Sequence, residues 1–163
     1  DLEMGWSGDA FFCTNAHGKL KFDWTFEAQE MIETARGDER MELGLFALYP
    51  EKLGIREKVN GWDICARAME LGFQICPLEL PAFLLQKYSK HPRFEGEFIF
   101  GTRPKCTGHP RKAHLFRVST GSMLLSSVCI CDECFYTPTG IRWVFCKTHL
   151  YPPGGPRKQE ERQ

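Results

Sequence analysis

The chain has 163 residues, 42% of them apolar, 26% charged and 13% aromatic, and its formal net charge is zero. This lies far from the polar, highly charged composition of disordered chains, and at this length a chain buries roughly 68–70% of its unfolded surface, enough for a core without disulfide staples. No apolar run approaches the ~18–20 residues that cross a bilayer and no short apolar leader opens the sequence, so neither a membrane span nor secretion is expected. The first residue is Asp1 rather than Met, as expected of a fragment of something larger.

The charge balance is local. Residues 1–90 carry 10 Lys/Arg and 15 Asp/Glu, net −5, and residues 91–163 carry 11 and 6, net +5. An acidic first part and a basic second part place any polyanion contact in the second.

Residues 1–22 lack periodicity and contain Gly5, Gly8 and Gly18, which predicts an irregular arm. A helix is expected from Asp23 or Thr25 as N-cap to Gly37, with Phe26, Met31, Ile32 and Ala35 on one side. A second helix is expected from Asp38, with Met41, Leu45 and Leu48 at helical spacing, ending before Pro50. Asn60 caps a third, with Ile64, Ala68 and Leu71 as its stripe and Gly72 at its close, and Pro81 opens a fourth through Tyr88. Trp24, Phe26, Leu45, Leu48, Trp62, Ile64 and Leu71 are the expected core of this region.

Beyond residue 90 the pattern turns strand-like, with runs at 97–100, 114–119 and 123–130 and a hairpin over 135–145 turning at Pro138–Gly140. The tail 152–163, rich in Pro, Gly and charge, predicts a flexible end. The fold class read from this is α+β: a helical region over 1–90, a small zinc-stabilised β-rich region over 91–151 with a hairpin between two zinc knuckles, and the tail.

Five of eight cysteines, Cys106, Cys129, Cys131, Cys134 and Cys146, fall within 41 residues, beside His109, His114 and His149. Cys131-x2-Cys134 and Cys146-x2-His149 are separated by eleven residues that contain the turn signal, which is the spacing of two knuckles joined by a hairpin. Zinc takes four such ligands in a tetrahedron, and a closed set scaffolds rather than catalyses. Cys106, His109, His114 and Cys129 make a possible second metal set, with Cys129 also able to replace a ligand of the first. Cys13, Cys65 and Cys76 are scattered and read as small core side chains.

The chain has no Gly-x-Ser-x-Gly, no P-loop, no His-Glu-x2-His and no His-x-Glu of a zinc deaminase, so no enzyme is expected. Arg103, Lys105, Arg111, Lys112 and Arg117, with Arg142 further along, form a basic set with Phe116 and Trp143 among them, which is one way to grip phosphates and stack bases.

Asp23-Trp24 followed by Gln29-Glu30-Met31, then Leu45-Phe46-Ala47-Leu48-Tyr49, and later the Cys-x2-Cys knuckle with Ile141-Arg142-Trp143, resembles the regulatory proteins of foamy viruses in short pieces. The resemblance implies a non-enzymatic viral regulator of the host cytoplasm or nucleus. A Bet-like accessory member would bind and neutralise host APOBEC-family cytidine deaminases. A Tas-like transactivator would bind promoter DNA through its basic residues. The accessory reading, a host-protein binder, is the expectation carried forward, with the DNA-binding one as its alternative.

Overall fold

The computed structural model describes residues 2–8, 22–33, 41–107 and 112–148. Among these residues the strands are β1 (Leu2–Gly8), β2 (Asp23–Trp24), β3 (Met41–Leu48), β4 (Val59–Asn60), β5 (Glu97–Phe100), β6 (Lys105–Thr107), β7 (Lys112–Ser119), β8 (Leu124–Cys129), β9 (Phe135–Tyr136) and β10 (Arg142–Thr148). The helices are α1 (Phe26–Glu33), α2 (Gly61–Glu70) and α3 (Leu80–Tyr88), with single 3-10 turns at Pro50–Leu53 and Pro92–Phe94.

Eight strands form one mixed sheet in the order β1-β3-β10-β5-β7-β8-β2, with β6 paired to the first half of β7. The β10–β5 and β2–β8 pairs are parallel and the others antiparallel. Separately, β4 and β9 make a two-stranded ribbon.

Successive side chains on a strand face opposite ways, and here both faces are apolar. Leu45, Ala47, Phe98, Phe100, Val144 and Cys146 join one buried cluster, with Ala28 and Met31 of α1 and Leu84 and Leu85 of α3. Their neighbours Leu48, Ile99, Trp143 and Phe145 join a second, with Leu53 and with Ile64 and Ala68 of α2. The result is three layers, helix on sheet on helix, in which the central strands are covered on both sides.

The expected boundary at residue 90 does not divide this fold. Strand β3 pairs with β10 over six residues, from Leu48 opposite Trp143 to Leu43 opposite Thr148, and β2 pairs with β8. The first 90 residues are therefore not a helical region. The predicted second helix is strand β3, because Leu45–Leu48 is apolar at every position and such a run fits a doubly covered strand as well as a helix. The first residues of the predicted arm, Leu2–Gly8, pair antiparallel along the outer edge of β3. The predicted hairpin is not formed either: β9 pairs with β4, while β10 inserts between β3 and β5. The predicted tail lies outside the described residues.

Other elements match their sequence signals. Asn60 accepts the amide of Asp63 at 3.0 Å and caps α2, and Gly72, at φ +93°, follows its last turn. Thr25 Oγ1 accepts the amide of Ala28 at 3.2 Å and caps α1. Strand β5 covers the predicted residues, and β7 and β8 lie within two residues of prediction. Leu45, Leu48 and Ile64 are buried as expected, whereas Phe26, Trp62 and Leu71 face solvent.

Candidate metal centre

Strand β8 ends at Cys129, and the chain then makes a tight turn. Ile130 is fully buried and donates its amide to Ala113 O at 3.0 Å. Cys134 donates its amide to Cys131 O at 3.0 Å and closes the turn Cys131-Asp132-Glu133-Cys134. Two residues on, Tyr136 donates its hydroxyl to Cys129 O at 2.6 Å and sets its ring edge-on against Trp143 at 5.3 Å. The turn is thus tied at both ends, to β7 through Ile130 and to the core through Tyr136.

This arrangement brings the sulfurs of Cys129, Cys131 and Cys134 within 4.8 Å of one another, with Cys131 and Cys134 at 3.4 Å. Thiolates around zinc stand ~2.3 Å from the ion, hence about 3.8 Å apart in a tetrahedron, and the spacing of these three sulfurs is compatible with three corners of such a site. The amide of Cys131 points at Cys129 Sγ at 3.3 Å.

The thiols of Cys131 and Cys134 are shifted in opposite directions. Hydrogen bonding from Cys129 holds the Cys131 thiol below its ordinary range, helped by the Glu133 amide, by Cys134 and by the charge of Lys112. The Cys134 thiol is pushed up to about 12, first because it donates to Cys131 and then by burial. Of Cys131 and Cys134, Cys131 is therefore the one that ionises first. A metal ion bound here would take the place of the thiol protons, so binding would release them and tighten as pH rises.

Of the expected first set, Cys131 and Cys134 are brought together and Cys146 is not. Cys146 lies on β10, which β5 and β7 separate from β8, a span of three strand spacings or about 14 Å. It is buried in the cluster beneath α1 and α3, donates to Ile75 O at 3.2 Å, and has Cys76 as a hydrogen-bonding neighbour. It is a core thiol. His149 lies outside the described residues.

Of the second set, Cys129 joins the group, in the exchange the sequence left open. Cys106 sits on β6 opposite Ala113 and is exposed, whereas His114, one residue on, sits opposite Cys129. The two therefore face opposite sides of the sheet and do not share an ion. His109 lies outside the described residues.

The basic set is partly committed to internal contacts. Arg117 pairs with Glu97 at 2.8 Å. Arg142 lies 4.6 Å from the Phe98 ring centre and donates to Glu95 O at 2.7 Å. Arg103 and Lys112 are exposed, Lys105 is half-buried, and Arg111 lies outside the described residues.

Sequence reasoning missed an outward apolar stripe on α2. Trp62 and Met69 are 45% and 56% exposed, with Ala66 between them, and Phe135 is 59% exposed opposite Asn60, the cap of the same helix. The 4- and 3-residue spacing of Trp62, Ala66 and Met69 was visible, but it competes with the inward spacing of Ile64 and Ala68.

Comparison of the chain with protein-family models, with curated proteins and with solved structures finds no match. The resemblance to foamy-virus regulators accordingly rests on the short sequence pieces quoted above.

Proposed function

We propose that this chain is a non-enzymatic binding module in which zinc at Cys129, Cys131 and Cys134 braces a surface that docks a protein partner. The observation that carries the reading is the position of Phe135. It follows the last cysteine directly, is exposed, and is held by β-pairing beside the start of α2, where Trp62 and Met69 are also exposed. Aromatic and Met side chains are enriched at the centres of protein interfaces, and a metal-closed turn holds such an anchor with little entropy left to lose on binding.

The resemblance to foamy-virus regulators names the partner class to test, a host APOBEC-family cytidine deaminase met in cytoplasm or nucleus. The DNA-binding alternative draws less support, since Arg117 and Arg142 already serve carboxylate, ring and carbonyl partners within the chain. The test is capture of a purified deaminase of that family by the zinc-loaded chain, with Trp62→Ala and Met69→Ala beside it. The expected result is capture that each substitution weakens roughly tenfold. Absence of capture, together with tight duplex-DNA binding that falls steeply with salt, would replace this reading with the transactivator one.

A further inference from the structure

Three cysteines leave a tetrahedral ion one ligand short, and the strand register indicates where the fourth lies. His114 on β7 is directly opposite Cys129 on β8. The neighbouring pair, Ala113 and Ile130, carries the ladder hydrogen bond, from Ile130 N to Ala113 O. His114 and Cys129 therefore form a non-hydrogen-bonded pair, the kind in which facing side chains stand closest, with Cβ atoms about 4.5–5.5 Å apart on one face of the sheet.

The imidazole is also in the right tautomer. His114 Nδ1 stands 2.7 Å from Lys112 O, and a carbonyl oxygen only accepts, so Nδ1 carries the proton. Nε2 is then left with its lone pair, the arrangement found when a metal-binding histidine gives its other N–H to a backbone carbonyl.

The remaining Cys and His side chains among the described residues are placed elsewhere. Cys76 and Cys146 are buried beneath α1 and α3, Cys65 is on α2, Cys106 faces the other side of the sheet, and His91 caps the amide of Arg93 with its Nδ1.

We propose that His114 Nε2 is the fourth ligand, closing a Cys3His site for a zinc-class divalent ion with Cys129, Cys131 and Cys134. This rests on the three-thiolate reading and deepens it. The ring nitrogens lie outside the mutual 4.8 Å spacing of the sulfurs, so ligation requires the two side-chain torsions of His114 to adjust as the ion enters, and the strand register rather than the present Nδ1–Lys112 O contact carries the assignment. The site would then tie β7 to the turn after β8, making the ion a clamp across two strands rather than a staple within one loop.

The experiment is titration of the reduced, metal-free full chain with Co(II) and Zn(II), reading visible spectra and X-ray absorption at the metal edge. The variants are His114→Ala, His114→Cys and Cys131→Ser. The expected result is one tetrahedral ion with three sulfurs and one imidazole. His114→Ala should lose the imidazole signature, keep three sulfurs and weaken binding at least about tenfold. His114→Cys should restore the affinity with a four-sulfur spectrum. An unchanged imidazole signature and affinity in His114→Ala would overturn the assignment of His114 while leaving the thiolate centre intact. Metal binding that is absent, or indifferent to Cys131→Ser, would overturn the centre itself.

Discussion

Gly61, the first residue of α2, lies directly against the side chain of Ile130, so that a Cβ at position 61 would overlap Ile130 Cγ2 and crowd Trp143. Ile130 is the residue between Cys129 and Cys131. The start of one helix is therefore packed on the hinge of the cysteine turn, and only glycine lets the two approach this closely. Gly61→Ala should force Ile130 outward, costing about 1–3 kcal/mol as overpacking does in a filled core. Because Ile130 sits between two ligands, the same change should weaken metal binding although it removes no ligand. Urea unfolding and Co(II) titration of the variant check both effects. Lowered stability with unchanged metal affinity would show that the turn is positioned independently of α2.

Metal removal should act locally. The two apolar clusters run chiefly through β3, β5, β7 and β10, and the cysteine turn adds only Ile130 to them, with Tyr136 packed alongside, so most of the core stays in place when the ion leaves. Chelation should raise hydrogen exchange at the amides of Cys131–Tyr136 and across the two-residue β4–β9 ribbon. Amides of Leu45, Phe98 and Phe145 should stay protected. Local opening of this kind separates segments with few buried contacts from those that open only on global unfolding. Loss of protection at Phe98 and Phe145 on chelation would show instead that the ion holds the sheet together.

The parts of this fold legible in the sequence are those whose signals are local. Asn60 and Gly72 mark the ends of α2 through backbone chemistry that a few residues complete, and Cys131-x2-Cys134 forms its turn within four residues. Strand order is not local. The alternation Ile141, Trp143, Phe145 correctly places those side chains on one face, but an adjacent hairpin and a strand inserted between β3 and β5 share that pattern. The misplacement of Cys146 follows from this, since its spacing from Cys134 suits a hairpin that the sheet does not make. Cys129 was ambiguous for a similar reason: its approach to Cys131 and Cys134 depends on where β8 ends.

Alkaline pH should destabilise the chain through its buried thiols. Burial pushes the Cys65 thiol from its ordinary value of 9.0 up to about 12, and burial chiefly raises Cys76 as well. Above pH 9 the unfolded chain releases a proton from Cys65 that the folded chain retains, so the folded state binds more protons and stability falls with rising pH. Below that value both states hold the proton and Cys65 contributes no slope. Tyr136, also held up to about 12 by burial, adds a fall of the same sign only above 10, so its contribution separates by range. The check is the urea midpoint of the reduced, metal-free chain between about pH 8 and pH 10, for wild type and Cys65→Ala. The substitution costs some packing at every pH, and the decisive quantity is the slope: wild type should lose stability increasingly above pH 9, and Cys65→Ala should flatten that loss by close to one proton. Equal slopes in the two proteins would mean that Cys65 titrates in the folded chain as it does in the unfolded one.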